Sequence, residues 1–124
     1  GEPATFTGKI DRIDRLPGGG IEVIDYKTGR LSSQKSVQES LQLSIYALAC
    51  RDALDLGTPE KVTLYFTEAA TRMSTTRTDE QLDAARDELV AWVQRVRAGD
   101  FAATPSSSQC WRCDYGPLCP ARMR

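Results

Sequence analysis

Apolar and polar positions alternate weakly along the first third of the chain. From Thr5 to Asp14, Phe6, Gly8 and Ile10 fall on one side and Thr7, Lys9 and Asp11 on the other, a period of two that predicts a strand. Leu16-Pro17-Gly18-Gly19-Gly20 reads as a turn, and Ile21 to Lys27, rich in β-branched and aromatic residues, as a second strand closing a hairpin. Thr28-Gly29 ends it, with Gly29 able to take a positive φ. The period then changes. Ser36 and Glu39 have capping-box spacing, Leu41, Ile45 and Leu48 form one apolar stripe, and Leu43, Ala47, Cys50 and Leu54 form another. A helix apolar on so much of its surface is expected to pack against a sheet. Gly57-Thr58-Pro59 stops it.

Lys61 to Thr67 predicts a third strand, with Val62, Leu64 and Phe66 on one face and Thr63 and Tyr65 on the other. Glu68 to Arg77 is polar and reads as a loop. Thr78 and Gln81 fit a capping box opening a helix from Asp79 to Ala98, with Leu82, Leu89, Val93 and Val96 on one buried face and Gly99 after it. A Ser-rich stretch, 103–109, leads into a cysteine tail. The order β-β-α-β-α-tail predicts an α/β class: a small mixed sheet with flanking helices, looking incomplete as a free-standing domain. The expected division is a core over 1–100 and a cysteine-rich tail over 101–124.

Composition narrows the functions. The 124 residues allow one domain at most, and 40% hydrophobic residues suffice for a small core. With 16 Lys+Arg against 17 Asp+Glu, a generally basic nucleic-acid-coating protein is excluded, while a local basic groove is not. No apolar run approaches about 18 residues. Histidine is absent, which removes His-based zinc sites, Ser/His/Asp triads and Cys/His dyads carried by these residues alone. The sequence begins at Gly1 rather than Met, as expected of a piece of a longer protein.

The candidate chemistry starts at the hairpin. Asp25 and Lys27 are two apart and share a strand face, and pairing of the two strands brings Asp11 toward Asp25. Two convergent carboxylates repel unless a cation sits between them, and Mg2+ or Mn2+ suits oxygen ligands. A lysine beside them can orient a water or offset charge on a phosphate. An exposed hairpin with ordinary surface charges is the plainer reading of the same spacing.

Three segments in order carry a resemblance: Gly8-Lys9-Ile10-Asp11-Arg12-Ile13-Asp14, then Val23-Ile24-Asp25-Tyr26-Lys27-Thr28-Gly29, then Gln42-x3-Tyr46. They resemble the successive motifs of the RecB-like and Cas4-like branch of the PD-(D/E)xK nuclease superfamily, which has a restriction-endonuclease-like core. The resemblance implies Asp11 and Asp25 as metal-ligand carboxylates, the Tyr26 carbonyl as a further ligand and Lys27 as the catalytic lysine. It places Gln42 and Tyr46 along the active site near the DNA. Asp14 is expected to pair with Arg12 or Arg15 instead.

Cys110, Cys113 and Cys119 form Cys-x2-Cys-x5-Cys, a metal-ligand pattern expected in a reducing, cytoplasmic setting, with disulfides as the alternative. Within the resemblance this tail matches the iron–sulfur staple of AddB-like nucleases, a 4Fe-4S cluster whose fourth cysteine lies far upstream. Cys50, among Leu43, Ala47 and Leu54, is expected in the core. The branch also carries a His or Glu upstream of the first strand. Both missing ligands are expected before Gly1, so the piece alone is expected to be weak or inactive.

The resemblance implies a DNA exonuclease joined to an ATP-dependent helicase module in recombinational repair. No Walker-type Gly-x4-Gly-Lys loop occurs here. Lys9, Arg12, Arg30, Lys35 and Arg51 are candidates for the DNA backbone. The alternatives are a catalytically silent DNA-binding or scaffolding domain of the same fold, and a zinc-binding interaction module.

Overall fold

The computed structural model describes residues 3–123, which form two compact units, Gly1–Ala91 and Trp92–Arg124. The first contains a four-stranded sheet in the order β1-β2-β3-β4: β1 (Arg12–Arg15), β2 (Ile21–Lys27), β3 (Lys61–Phe66) and β4 (Thr71–Thr75). β1 and β4 run antiparallel to their neighbours, whereas β2 and β3 run parallel. The sheet is therefore mixed, as expected. A parallel pair needs a crossover, which here is α1 (Gln34–Gln38) and α2 (Leu41–Leu48), the latter continuing into a π-helical turn, Ala49–Ala53.

The β1–β2 turn closes through Leu16 N–H to Gly20 O at 2.7 Å, with Gly19 at φ 92°. The expected first strand from Thr5 to Asp14 is corrected to the four residues of β1. The ladder extends from this turn only to the Arg12–Ile24 pair. Beyond it, the Asp11 side chain takes the Tyr26 N–H, and residues 3–11 are outside any strand.

The helical stretch also differs. The caps are Ser33, which accepts from Ser36 N–H, and Ser40, which accepts from Leu43 N–H. The Ser36/Glu39 box does not form, because Ser33 takes the capping position three residues earlier and the helix breaks before Ser40. Leu54 lies beyond α2 and is half exposed. Glu68 to Arg77 is not all loop: Thr71–Thr75 pairs with β3. Its β-branched and polar residues suit an edge strand with one wet face, while Met73 packs on the core.

Alternation on β2 and β3 puts Ile21, Val23, Val62, Leu64 and Phe66 into one core with Leu43, Ala47 and Cys50, and with Leu82, Ala85 and Leu89 of α3 (Asp79–Arg97). The Thr78/Gln81 box forms reciprocally, each backbone N–H donating to the other residue's side-chain oxygen at 2.9 and 3.1 Å. The expected buried stripe runs out early. Val93 is half-buried and Val96 is 60% exposed, because the described core ends at Leu89.

The second unit contains the end of α3 and α4 (Ser107–Arg112), capped by Ser106 Oγ, which accepts from Gln109 N–H at 3.2 Å. A 3-10 turn over Gly116–Leu118 follows. Gly116 is the one buried residue of this unit among the described residues.

Candidate active site

Period-two geometry makes β2 two-sided. Val23, Asp25 and Lys27 continue the core face, so Asp25 ends an apolar row and is itself only 4% exposed. Lys27 Nζ stands 2.8 Å from Asp25 Oδ2. Apart from this ion pair, the buried oxygen has no hydrogen-bond partner among the described residues. Asp11 is one step beyond the Arg12–Ile24 pair, opposite Asp25, and its Oδ2 accepts the Tyr26 N–H at 3.0 Å.

From α2, Gln42 Oε1 accepts from Lys27 Nζ at 2.8 Å, and Gln42 Nε2 donates to Tyr46 OH at 3.0 Å. The i,i+4 spacing makes that second contact possible. Asp11, Asp25, Lys27, Gln42 and Tyr46, separated by up to 35 positions in the sequence, thus share one site.

The two carboxylates titrate in opposite directions. Hydrogen bonding to Asp25 and to the Tyr26 N–H, helped by the charges of Lys27 and Lys9, holds Asp11 below the usual carboxylate range. Burial pushes Asp25 up, with the neighbouring Asp11 acting in the same sense against Lys27.

The other expected residues distribute differently. The Tyr26 side chain is on the opposite sheet face, where its hydroxyl accepts from Arg12 Nη1 at 3.1 Å and its ring meets Tyr65 edge-on at 5.8 Å. Arg12 also pairs with Asp14 at 2.7 Å, which removes Asp14 from the site as expected. Arg51 is engaged by Asp52 at 2.8 Å, Asp83 at 2.9 Å and Asp79 at 3.4 Å, and so ties the π-helical turn to α3. Lys9, Arg30 and Lys35 are exposed.

Sequence reading missed two buried polar groups. Glu22 accepts from Thr63 Oγ1 at 2.6 Å, and Arg77 bonds inward to the helices. A Glu inside an apolar strand run was a signal for the first. No periodicity marked the second.

The residues can be tested against the groups they were expected to hold. Asp11 and Asp25 supply carboxylate oxygens, the donor type that suits Mg2+, which retains several waters of its own. They are two carboxylates, and among the described residues no group of three or more His, Cys, Asp or Glu is placed to hold a metal ion. The three tail thiols, too, are not gathered into such a group among the described residues. Cys110 and Cys119 are half-buried, Cys113 is exposed, and Cys110 Sγ accepts from Met123 N–H at 3.4 Å. Cys50 is fully buried in the core, where burial pushes its thiol up.

The family model of the PD-(D/E)XK nuclease superfamily matches residues 1–120. The chain belongs to that superfamily. No curated protein matches it in sequence. Membership accounts for the mixed sheet with flanking helices and implies a metal-dependent nuclease fold, generally served by Mg2+ or Mn2+, with DNA as substrate. In this PD-(D/E)XK domain Asp25 and Lys27 lie at the end of β2, on the strand that pairs with both β1 and β3, and Asp11 lies just before β1. No helix among the described residues is long and apolar enough to cross a membrane.

Proposed function

We propose that this domain hydrolyses phosphodiester bonds of DNA, as an exonuclease, at the site built from Asp11, Asp25, Lys27, Gln42 and Tyr46. The observation that carries the reading is the buried Asp25 carboxylate, opposite Asp11 and ion-paired with Lys27, in a chain of this superfamily. Asp11, Asp25 and the Tyr26 carbonyl would hold the divalent ion, which when bound supplies Lewis acidity and a more acidic water.

The chain's own residues do the rest. Gln42 anchors the Lys27 ammonium and is itself anchored by Tyr46, so the cation is aimed beside the carboxylates. In that position it stabilises charge developing on the phosphate. Lys9, Arg30 and Lys35 contact backbone phosphates, which positions DNA without reading its sequence.

The order of the motifs supports a finer placement in the RecB-like branch, joined to an ATP-dependent helicase module in recombinational repair. The Cys110, Cys113 and Cys119 spacing supports a contribution of three ligands to a 4Fe-4S site in the whole protein.

The test uses the whole protein that carries this domain, with linear and circular DNA and Mn2+ or Mg2+, and calorimetry of Mn2+ binding. Wild type releases nucleotides from linear ends only. Asp25→Ala and Lys27→Ala lower the rate on the order of 10²–10³-fold, and Asp25→Ala also weakens Mn2+ binding. Unchanged cleavage in both variants removes the proposed site.

A further inference from the structure

Arg77 lies between β4 and α3, yet its side chain points inward and the residue is 7% exposed. Every guanidinium nitrogen meets an oxygen. Nε donates to Ser44 Oγ at 2.9 Å, Nη2 to Ser40 O at 3.0 Å and Val37 O at 3.3 Å, and Nη1 to Thr76 O at 3.1 Å. No carboxylate pairs with it among the described residues. Burial accordingly depresses its pKa. A buried cation held by neutral oxygens is a costly way to fill space, and an apolar side chain would fill it better. Its acceptors indicate why an arginine is there.

Three of them belong to the break between the two crossover helices. Val37 is in α1, Ser40 is the N-cap of α2, and Ser44 is on α2. One planar fork bridges the end of the first helix and the start of the second, a span a lysine ammonium cannot reproduce. Gln42 follows Ser40 by two positions. A helix turns by about 100° per residue, so a one-residue shift in where α2 begins swings Gln42 away from Lys27. We propose that Arg77 is a positioning residue: its guanidinium fixes the start of α2 and so holds Gln42 Oε1 against Lys27 Nζ. The inference rests on the nuclease reading of Lys27 and Gln42, but its test reads Gln42 directly.

The side-chain amide of Gln42 is followed by two-dimensional nitrogen-15 NMR on the full chain, its signals assigned by their loss in Gln42→Leu. Arg77→Ala and Arg77→Lys are expected to move both amide signals to the positions of a free glutamine and to speed their exchange with water at least about tenfold. About 20 mM guanidinium restores them in Arg77→Ala by occupying the vacated space. Leu82→Ala, which weakens the core without touching the helix break, leaves them in place.

Unmoved Gln42 signals in both Arg77 variants overturn the proposal, even where the melting temperature falls. If Arg77→Ala does not fold, Arg77→Lys decides by the same signals. In cleavage assays, Arg77→Lys lowers kcat with KM unchanged and adds no further loss to Gln42→Leu. A whole wild-type protein that cleaves no DNA sinks the nuclease reading, while the Gln42 signals still decide the role of Arg77.

Discussion

The two compact units use the same local devices with different results. Gly1–Ala91 starts α2 with a serine cap and closes a core in which Val23, Val37, Leu43 and Leu82 are fully buried. Trp92–Arg124 also starts a helix with a serine cap, but Trp111 is 80% and Leu118 85% exposed. Caps decide where a helix begins; burial decides how much stability depends on it. The contrast extends to charge. The first unit constrains Asp25 and Arg77 by burying them, whereas the second leaves Arg95 and Asp100 paired at 3.0 Å in solvent.

The strongest way to break this comparison is to delete a leucine from each unit. Leu43→Ala should cost about 2–5 kcal/mol, because removing a fully buried side chain leaves a cavity. Leu118→Ala should stay within about 0.5 kcal/mol, the range of surface changes. Denaturant melts of both variants check this, and similar losses would show that the tail is buried in solution.

How much was legible in the sequence follows the same division. The Ile21–Lys27 run, the alternation of Val62, Leu64 and Phe66, and the Thr78/Gln81 box are local patterns that agree with the packing around them. Asp11, Asp25, Lys27, Gln42 and Tyr46 were readable as a set because strand period, helix period and motif order all converge on them. β4 was missed because an edge strand of threonine, serine and arginine looks like a loop until its neighbour is known. Arg77 was missed because three of its four acceptors are backbone and hydroxyl oxygens at distant positions and the fourth is the neighbouring Thr76 carbonyl, none of which carries a sequence spacing. The tail offered cysteine spacing but little burial, so its pattern had no packing to agree with.

A second, smaller test compares the caps. Thr78→Ala should cost about 1 kcal/mol, because the helix it opens carries Leu82, Ala85 and Leu89 into the core. Ser106→Ala should cost a few tenths of a kcal/mol at most in global unfolding, since α4 is six residues long with none buried, and local fraying absorbs the change. Thermal melts give the first value, and amide exchange at Gln109 and Cys110 reports the second. A larger global loss from Ser106→Ala than from Thr78→Ala would reverse the ranking.

The smallest effect concerns the sign of a pH dependence. Asp25 has its pKa raised by burial, so in acid the native state binds its proton more tightly than the unfolded chain does. Stability must therefore fall as pH rises from the ordinary aspartate value through the raised one, and the ionised group remains a cost at neutral pH. Asp100 in the second unit behaves oppositely. Arg95 lowers its pKa, so its contribution is present above the ordinary value and is lost as pH falls through the lowered one. Asp11, also lowered, adds to that acid loss. Asp25→Asn removes only the first dependence, and its amide donates to Asp11 as the protonated acid does. Metal-free Asp25→Asn protein should therefore melt with wild type in acid and about 2 °C above it at neutral pH. The gap should open through the range in which Asp25 ionises, and cleavage should be absent throughout. A constant offset at every pH would mean that Asp25 ionises alike in the folded and unfolded chain, so that burying this carboxylate carries no charge cost.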